Sequence, residues 1–311
     1  MKLDEHKMYL LGEFAEEYLE HHLSRRDLLR RALLVTGSIP LAATSLFALG
    51  CGDSDDDDVI EPEATTAASP TSESGGVTED DDDVEAQAVT YPGPAGELKG
   101  YLARPAGDGP YPAVLLIHEN RGLLDHFRDV ARRYAGEGFV VLAVDMASRG
   151  GGSTEDGQAN LGLLNQTSSE DHVLDLQAGL DFLKEQSFVR ADSLGVTGFC
   201  YGGGFTFDLT AASPDIKAAA AYYGTAARAL TRGLDQTDAA VLVIYGGNDA
   251  RITGEREQVE AALTTAGTTY QINVYEGAGH AFFNNTGGNY NEAAATEAWN
   301  ATIDWFREHL A

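Results

Sequence analysis

From residue 96 onward, short apolar runs with strand character alternate with longer stretches whose apolar residues recur at helical spacing. Leu98 to Ala103 alternates between Gly96 and Pro105, as a strand does. Ala113 to Ile117 is apolar without interruption, the mark of a strand buried on both faces. Phe139 to Val144, Leu194 to Thr197, Ala218 to Tyr222, Val241 to Tyr245 and Tyr270 to Tyr275 are further strands by the same reasoning. Between them, Asp125 to Gly136 places Phe127, Val130, Ala131 and Tyr134 on one helical stripe. Ser169 to Lys184 does so with Val173, Leu176, Leu180 and Leu183, and Gly254 to Ala266 and Ala294 to Leu310 complete the helices. Strands alternating with helices predict an α/β fold, a mostly parallel sheet covered on both faces, in one domain over 89–311.

Charge divides the rest of the chain. The 311 residues carry 49 acids and 21 bases, a formal net charge of −28. Fourteen of those acids and none of the bases fall in 52–88, which includes Asp55 to Asp58 and Asp80 to Asp83. With little apolar matter to offset the entropy of ordering, this stretch reads as a disordered, self-repelling acidic linker. Its aspartates lack the spacing of an EF-hand loop. So negative a field disfavours nucleic acid and anionic bilayers as partners. Two cysteines, Cys51 and Cys200, supply neither a disulfide framework nor a Cys₄ zinc site, and no cluster with metal-ligand spacing appears, so no metal or cofactor is expected.

Residues 1–51 read as an address. Ser24-Arg25-Arg26-Asp27-Leu28-Leu29-Arg30 resembles the twin-arginine export signature, and an apolar run follows from Ala32 to Gly50. Gly50-Cys51 resembles a bacterial lipobox, in which Cys51 would be lipidated, although Ala48 stands where leucine is usual. A cleaved signal and a transmembrane anchor are the alternatives. The expectation is an exported protein, held at the outer face of the cytoplasmic membrane or periplasmic, that meets the membrane only through this N-terminal segment.

The chemistry concentrates after strand ends. Gly198-Phe199-Cys200-Tyr201-Gly202 is a G-x-nucleophile-x-G elbow with cysteine as nucleophile. The glycines admit a sharp strand-to-helix turn, and the helix start offers the Tyr201 N–H to a developing oxyanion. A buried structural cysteine is the bland alternative. Asp249 follows the strand ending at Tyr245, and His280 follows the one ending at Tyr275. Nucleophile, acid, histidine is the chain order of α/β-hydrolases, and all three lie where open sheets of this class bind ligands.

These residues, with Ile117-His118-Glu119-Asn120-Arg121-Gly122-Leu123, Gly246-Gly247-Asn248-Asp249 and Gly277-Ala278-Gly279-His280-Ala281-Phe282, make 89–311 resemble the dienelactone hydrolase family, the cysteine-dependent, carboxymethylenebutenolidase-like branch of the α/β-hydrolase fold. The resemblance implies a hydrolase of small-molecule esters or lactones in which Cys200 attacks, His280 shuttles the proton and Asp249 orients it. It also implies that Glu119 restrains the resting thiol and takes part in its activation, and that Asn120 gives a second oxyanion N–H. Where the family has a substrate-binding arginine four residues after its histidine, this chain has Asn284, which favours neutral substrates; Arg149 is a nearby possibility for the family's other arginine. Phe282 and Phe283 are expected to wall the pocket, or else to be core. A surface-tethered binding protein of the same fold without catalysis is the competing reading.

Overall fold

The computed structural model describes residues 11, 14, 25–36 and 83–311; Cys51, most of the linker and most of the export segment lie outside the described residues. The chain divides into two units, Met1–Gly76 and Val77–Ala311. In the first, helix α1 (Arg25–Thr36) buries Leu28, Ala32 and Val35 and exposes Leu29 and Leu33. Among the described residues no helix is long and apolar enough to cross a membrane.

The second unit is an eight-stranded sheet flanked by helices, with strand order β1-β2-β4-β3-β5-β6-β7-β8. Its strands are β1 (Val84–Gly93), β2 (Gly96–Pro105), β3 (Tyr111–Ile117), β4 (Val140–Val144), β5 (Val189–Phe199), β6 (Ile216–Tyr222), β7 (Ala240–Gly246) and β8 (Tyr270–Tyr275). β1 and β2 form an antiparallel hairpin, β2 runs antiparallel to β4, and β3 to β8 are parallel. The α/β expectation and the seven strands read from the pattern are met. β1 is an addition: it begins at Val84, inside the stretch read as linker. An edge strand with one partner needs only sparse burial, and Val84 and Tyr91 are its two buried residues, so its polar positions pass for linker in sequence.

The helices of this unit are α2 (Asp125–Gly136), α3 (Gly157–Leu164), α4 (Ser169–Lys184), α5 (Tyr201–Ala212), α6 (Ala227–Arg232), α7 (Ala250–Thr253), α8 (Arg256–Ala266) and α9 (Glu292–His309). α2 and α9 meet through Tyr134 and Trp299, whose rings are 4.5 Å apart, and α4 and α5 meet through His172 and Phe205, at 5.3 Å. α4 opens on Ser168, whose Oγ accepts from the Asp171 N–H at 3.1 Å, with Glu170 and Asp171 in its first turn and Lys184 in its last. The continuous apolar run of β3 is fully buried from Ala113 to Ile117, as a strand covered on both faces requires. In register, Ile117 pairs with Gly198, Phe199 with Tyr222 and Gly246 with Tyr275. The carboxyl ends of β3, β5, β6, β7 and β8 are therefore level at one edge of the sheet, and the residues just past them share one crevice.

Candidate active site

Cys200 occupies the bend between β5 and α5, with φ 52° and ψ −111°. A left-handed backbone costs a non-glycine residue roughly 1–2 kcal/mol and persists only where its surroundings over-determine it. Here the Cys200 N–H donates to the Tyr222 carbonyl at 3.0 Å and its carbonyl accepts from the Gly204 N–H at 3.1 Å. Gly202 makes the close approach: a Cβ there would lie 2.3 Å from the Ile117 carbonyl oxygen and 2.7 Å from that of His118. The first turn of α5 is thus pressed against the end of β3, and Cys200, 3 % exposed, is brought to the segment carrying Glu119 and Asn120.

Asp249 is fully buried at the start of α7, where Oδ1 accepts from the Ile252 N–H at 3.2 Å. Its Oδ2 lies 2.6 Å from His280 Nδ1. A carboxylate only accepts, so Nδ1 is the donor of this pair, and in the neutral ring Nε2 holds the lone pair. The two loops are in backbone contact. A Cβ on Gly246 would fall 2.5 Å from the Gly279 carbonyl oxygen, and the Asn248 N–H donates to the Ala278 carbonyl at 2.9 Å. Among the described residues the non-glycine positions with positive φ are Cys200, Tyr223 and Ala281. All three sit at this crevice, the place in the fold where strain is concentrated.

Glu119, 8 % exposed, accepts at Oε1 from the Tyr223 hydroxyl at 3.2 Å and at Oε2 from Asn284 Nδ2 at 2.8 Å. Burial pushes its carboxyl above the ordinary 4.5, opposed by the Asn284 bond, the His280 charge, the Tyr223 bond and the Arg121 charge. The Tyr223 ring stands edge-on to His280 with centroids 5.2 Å apart. Its hydroxyl is held well above 10, first by burial and then by the nearby charges of Glu119 and Cys200. Cys200, His280, Glu119 and Tyr223 therefore share one electrostatic environment. Behind them, buried His118 places Nδ1 2.6 Å from the Glu119 carbonyl and accepts at Nε2 from the Met146 N–H at 3.1 Å. Burial disfavours its charged form, and these two hydrogen bonds set the tautomer. Among the described residues the Asn120 N–H donates no hydrogen bond, and the Tyr201 N–H is the first of α5. No group of three or more His, Cys, Asp or Glu among the described residues could hold a metal ion.

Two expectations are corrected. Phe282 and Phe283, 0 % and 3 % exposed, are core rather than pocket wall. Phe282 packs on Tyr223 and Tyr275, and Phe283 on Phe199, Tyr222 and Trp299, because the loop after His280 folds back over the sheet edge. Arg149 is engaged by α4: its Nε and Nη2 grip the Asp175 carboxylate at 2.7 and 2.9 Å, tying the segment after β4 to that helix. Tyr223 went unremarked in the sequence, although it too stands directly past a strand end, which is the signal that marks Asp249 and His280.

The model of the dienelactone hydrolase family matches residues 98–310. A Synechocystis protein named "Putative carboxymethylenebutenolidase" is 33 % identical over 237 residues, 71 % of this chain and 96 % of its own. The crystal structure of a "Putative Dienelactone Hydrolase" from Klebsiella pneumoniae superposes with a TM-score of 0.65 at 29 % identity, over 72 % of this chain and 99 % of that one. The dienelactone hydrolase-like promiscuous phosphotriesterase P91 from metagenomic libraries gives 0.65 at 26 %, over 74 % and 100 %.

Proposed function

The chain belongs to the dienelactone hydrolase family and is an ester or lactone hydrolase, and on that premise we propose that it works through a Cys200 thioester. The His280–Asp249 contact at 2.6 Å, with the carboxylate fully buried, carries the reading. His280 Nε2 takes the thiol proton as Sγ bonds to the substrate's carbonyl carbon, and the C=O π pair moves onto oxygen. The N–H groups of Asn120 and Tyr201 receive that oxyanion. As the carbonyl re-forms, the C–O bond to the leaving oxygen breaks and His280 returns the proton to it. For a lactone the leaving oxygen stays tethered to the acyl group. Water then attacks the thioester with His280 again as base, releasing the acid and the thiol. Asp249 holds the Nδ1–H tautomer and stabilises the imidazolium at each transfer. Glu119 restrains the thiol between turnovers, since a neighbouring carboxylate disfavours the reactive thiolate.

Hydrolysis of a simple aryl ester by the full-length protein is the direct test. Cys200→Ala should abolish it and iodoacetamide should block it. Turnover that survives both would remove Cys200 from the mechanism. A screen of neutral against anionic lactones then decides the substrate class, for which Asn284 in place of a family arginine favours the neutral ones.

We also infer export by the twin-arginine route and tethering through a lipid on Cys51, on the strength of Arg25-Arg26, the apolar run to Gly50 and the charged spacer beyond. Cys51→Ala should release the protein from the membrane fraction. Unchanged partitioning would leave a signal-anchor helix as the tether.

A further inference from the structure

β8 closes the sheet at the end opposite β1, and among the described residues no strand pairs with its outer side. Its hydrogen bonds to β7 fix which backbone groups are left over. The Val241 N–H donates to the Thr269 carbonyl and the Gly247 N–H to the Tyr275 carbonyl, each at 2.9 Å, over an unbroken register. The N–H and C=O of a strand residue point to the same side, and the side alternates along the chain, so 269, 271, 273 and 275 face β7. Tyr270, Ile272 and Val274 therefore turn their N–H and C=O outward. Proteins blunt such an edge with charge, proline or a bulge. The other edge, β1, carries Glu85 and Pro92. β8 has none of these devices: its register is continuous, and 261–275 holds no charged residue and no proline. Its polar side chains bond along the strand instead. Gln271 Nε2 donates to Asn273 Oδ1 at 2.8 Å, and Asn273 Nδ2 to the Tyr275 hydroxyl at 3.3 Å. Ile272 and Val274 remain half-buried, whereas β7 is buried throughout.

We propose that the outer edge of β8 pairs antiparallel with the same edge of a second copy of this chain, about a two-fold axis at Ile272, so that one sheet runs through the dimer. The outward groups fall at 270, 272 and 274, a pattern that reads the same in both directions from Ile272. In that register Ile272 exchanges both hydrogen bonds with its own copy, and Tyr270 exchanges both with the partner's Val274. Charge selects a like copy over an unlike partner. A net −13 over 89–311 would draw a basic surface, yet β8 has no acid to meet one. Two such units repel least where neither carries charge. Glu276, just past the strand, falls opposite the partner's Thr268 rather than opposite its own copy, so the pairing sets no like charges face to face.

The test is sedimentation velocity on the full-length protein, in a nonionic detergent that disperses its N-terminal apolar run. Wild type should form a dimer whose population rises with concentration. Ile272→Pro deletes one outward N–H from each copy and spares the ladder to β7, which that N–H does not join. It should weaken the dimer by about 30-fold, as the loss of two net hydrogen bonds does, with Tm close to wild type. Ile272→Lys sets two like charges directly opposite each other and should leave monomer; it decides the question should the proline variant misfold. Ile272→Cys faces its own copy and should form a covalent dimer under mild oxidant, beyond the background that Cys51 and Cys200 give wild type. A wild type that is monomeric at every concentration would overturn the proposal. So would a dimer that the proline and lysine variants leave equally stable, as one held by another face would be, or an Ile272→Cys protein that stays at the wild-type background.

Discussion

In the proposed mechanism Asp249 orients His280 from complete burial, and that burial sets what its loss costs. The carboxylate accepts from Nδ1 and from the Ile252 N–H, so replacing it with an amide puts a donor against a donor at one of those contacts. Asp249→Asn should lower kcat by about 10⁴-fold, as the corresponding change does in serine triads, with the fold intact by circular dichroism. A rate near wild type would assign the orienting role to another acid. Glu119 makes a prediction of the opposite kind. Its carboxyl titrates above 4.5 in the folded protein because burial disfavours the charge. A raised folded value means that its contribution to stability is complete below the unfolded value and is lost as pH rises through the folded one. Glu119→Gln, fixed in the neutral form, should therefore gain on wild type with rising pH. The difference in Tm, variant minus wild type, should grow from pH 4 to pH 8; a flat difference would mean that the carboxyl is not perturbed.

At the scale of elements, the elbow exists because α5 can approach β3 closely enough to leave no room for a side chain. The Ile117 and His118 carbonyls that face Gly202 are backbone and cannot yield as a flexible side chain would. Gly202→Ala should force the first turn of α5 away from β3. Overpacking of this kind costs about 1–3 kcal/mol, a drop in Tm of about 2–12 °C for a domain of this size. Activity should fall further than stability, because the shift moves Cys200 and the Tyr201 N–H together. A variant with normal turnover would show that the close approach is not what aligns the nucleophile. The same reasoning accounts for the corrected residues. Phe283 is drawn into the aromatic layer between Phe199 and Trp299 because the loop that delivers His280 must cross the sheet edge there.

At the scale of the molecule, the excess of acid bears on stability through charge self-repulsion. Residues 89–311 carry 28 acids and 15 bases, a net −13 that repels itself in the folded unit, and salt screens that repulsion over a Debye length that falls from about 30 Å at 0.01 M to 3 Å at 1 M. Tm should rise between 10 mM and 0.5 M sodium chloride. A fall would mean that ion pairs such as Arg149–Asp175 and Arg228–Asp208 outweigh the net repulsion.

The sequence by itself determined the alternation of strands and helices, the elbow around Cys200 and the chain order of Cys200, Asp249 and His280. All of these follow from apolar periodicity and turn chemistry, which are local. The tertiary structure alone decided that β1 pairs where the acidic linker seemed to continue, that Phe282 and Phe283 are core, that Arg149 is held by α4, and that Tyr223 and Asn284 close on Glu119. Each of these depends on which loops meet in space, and no pattern along the chain encodes a meeting between residues so far apart.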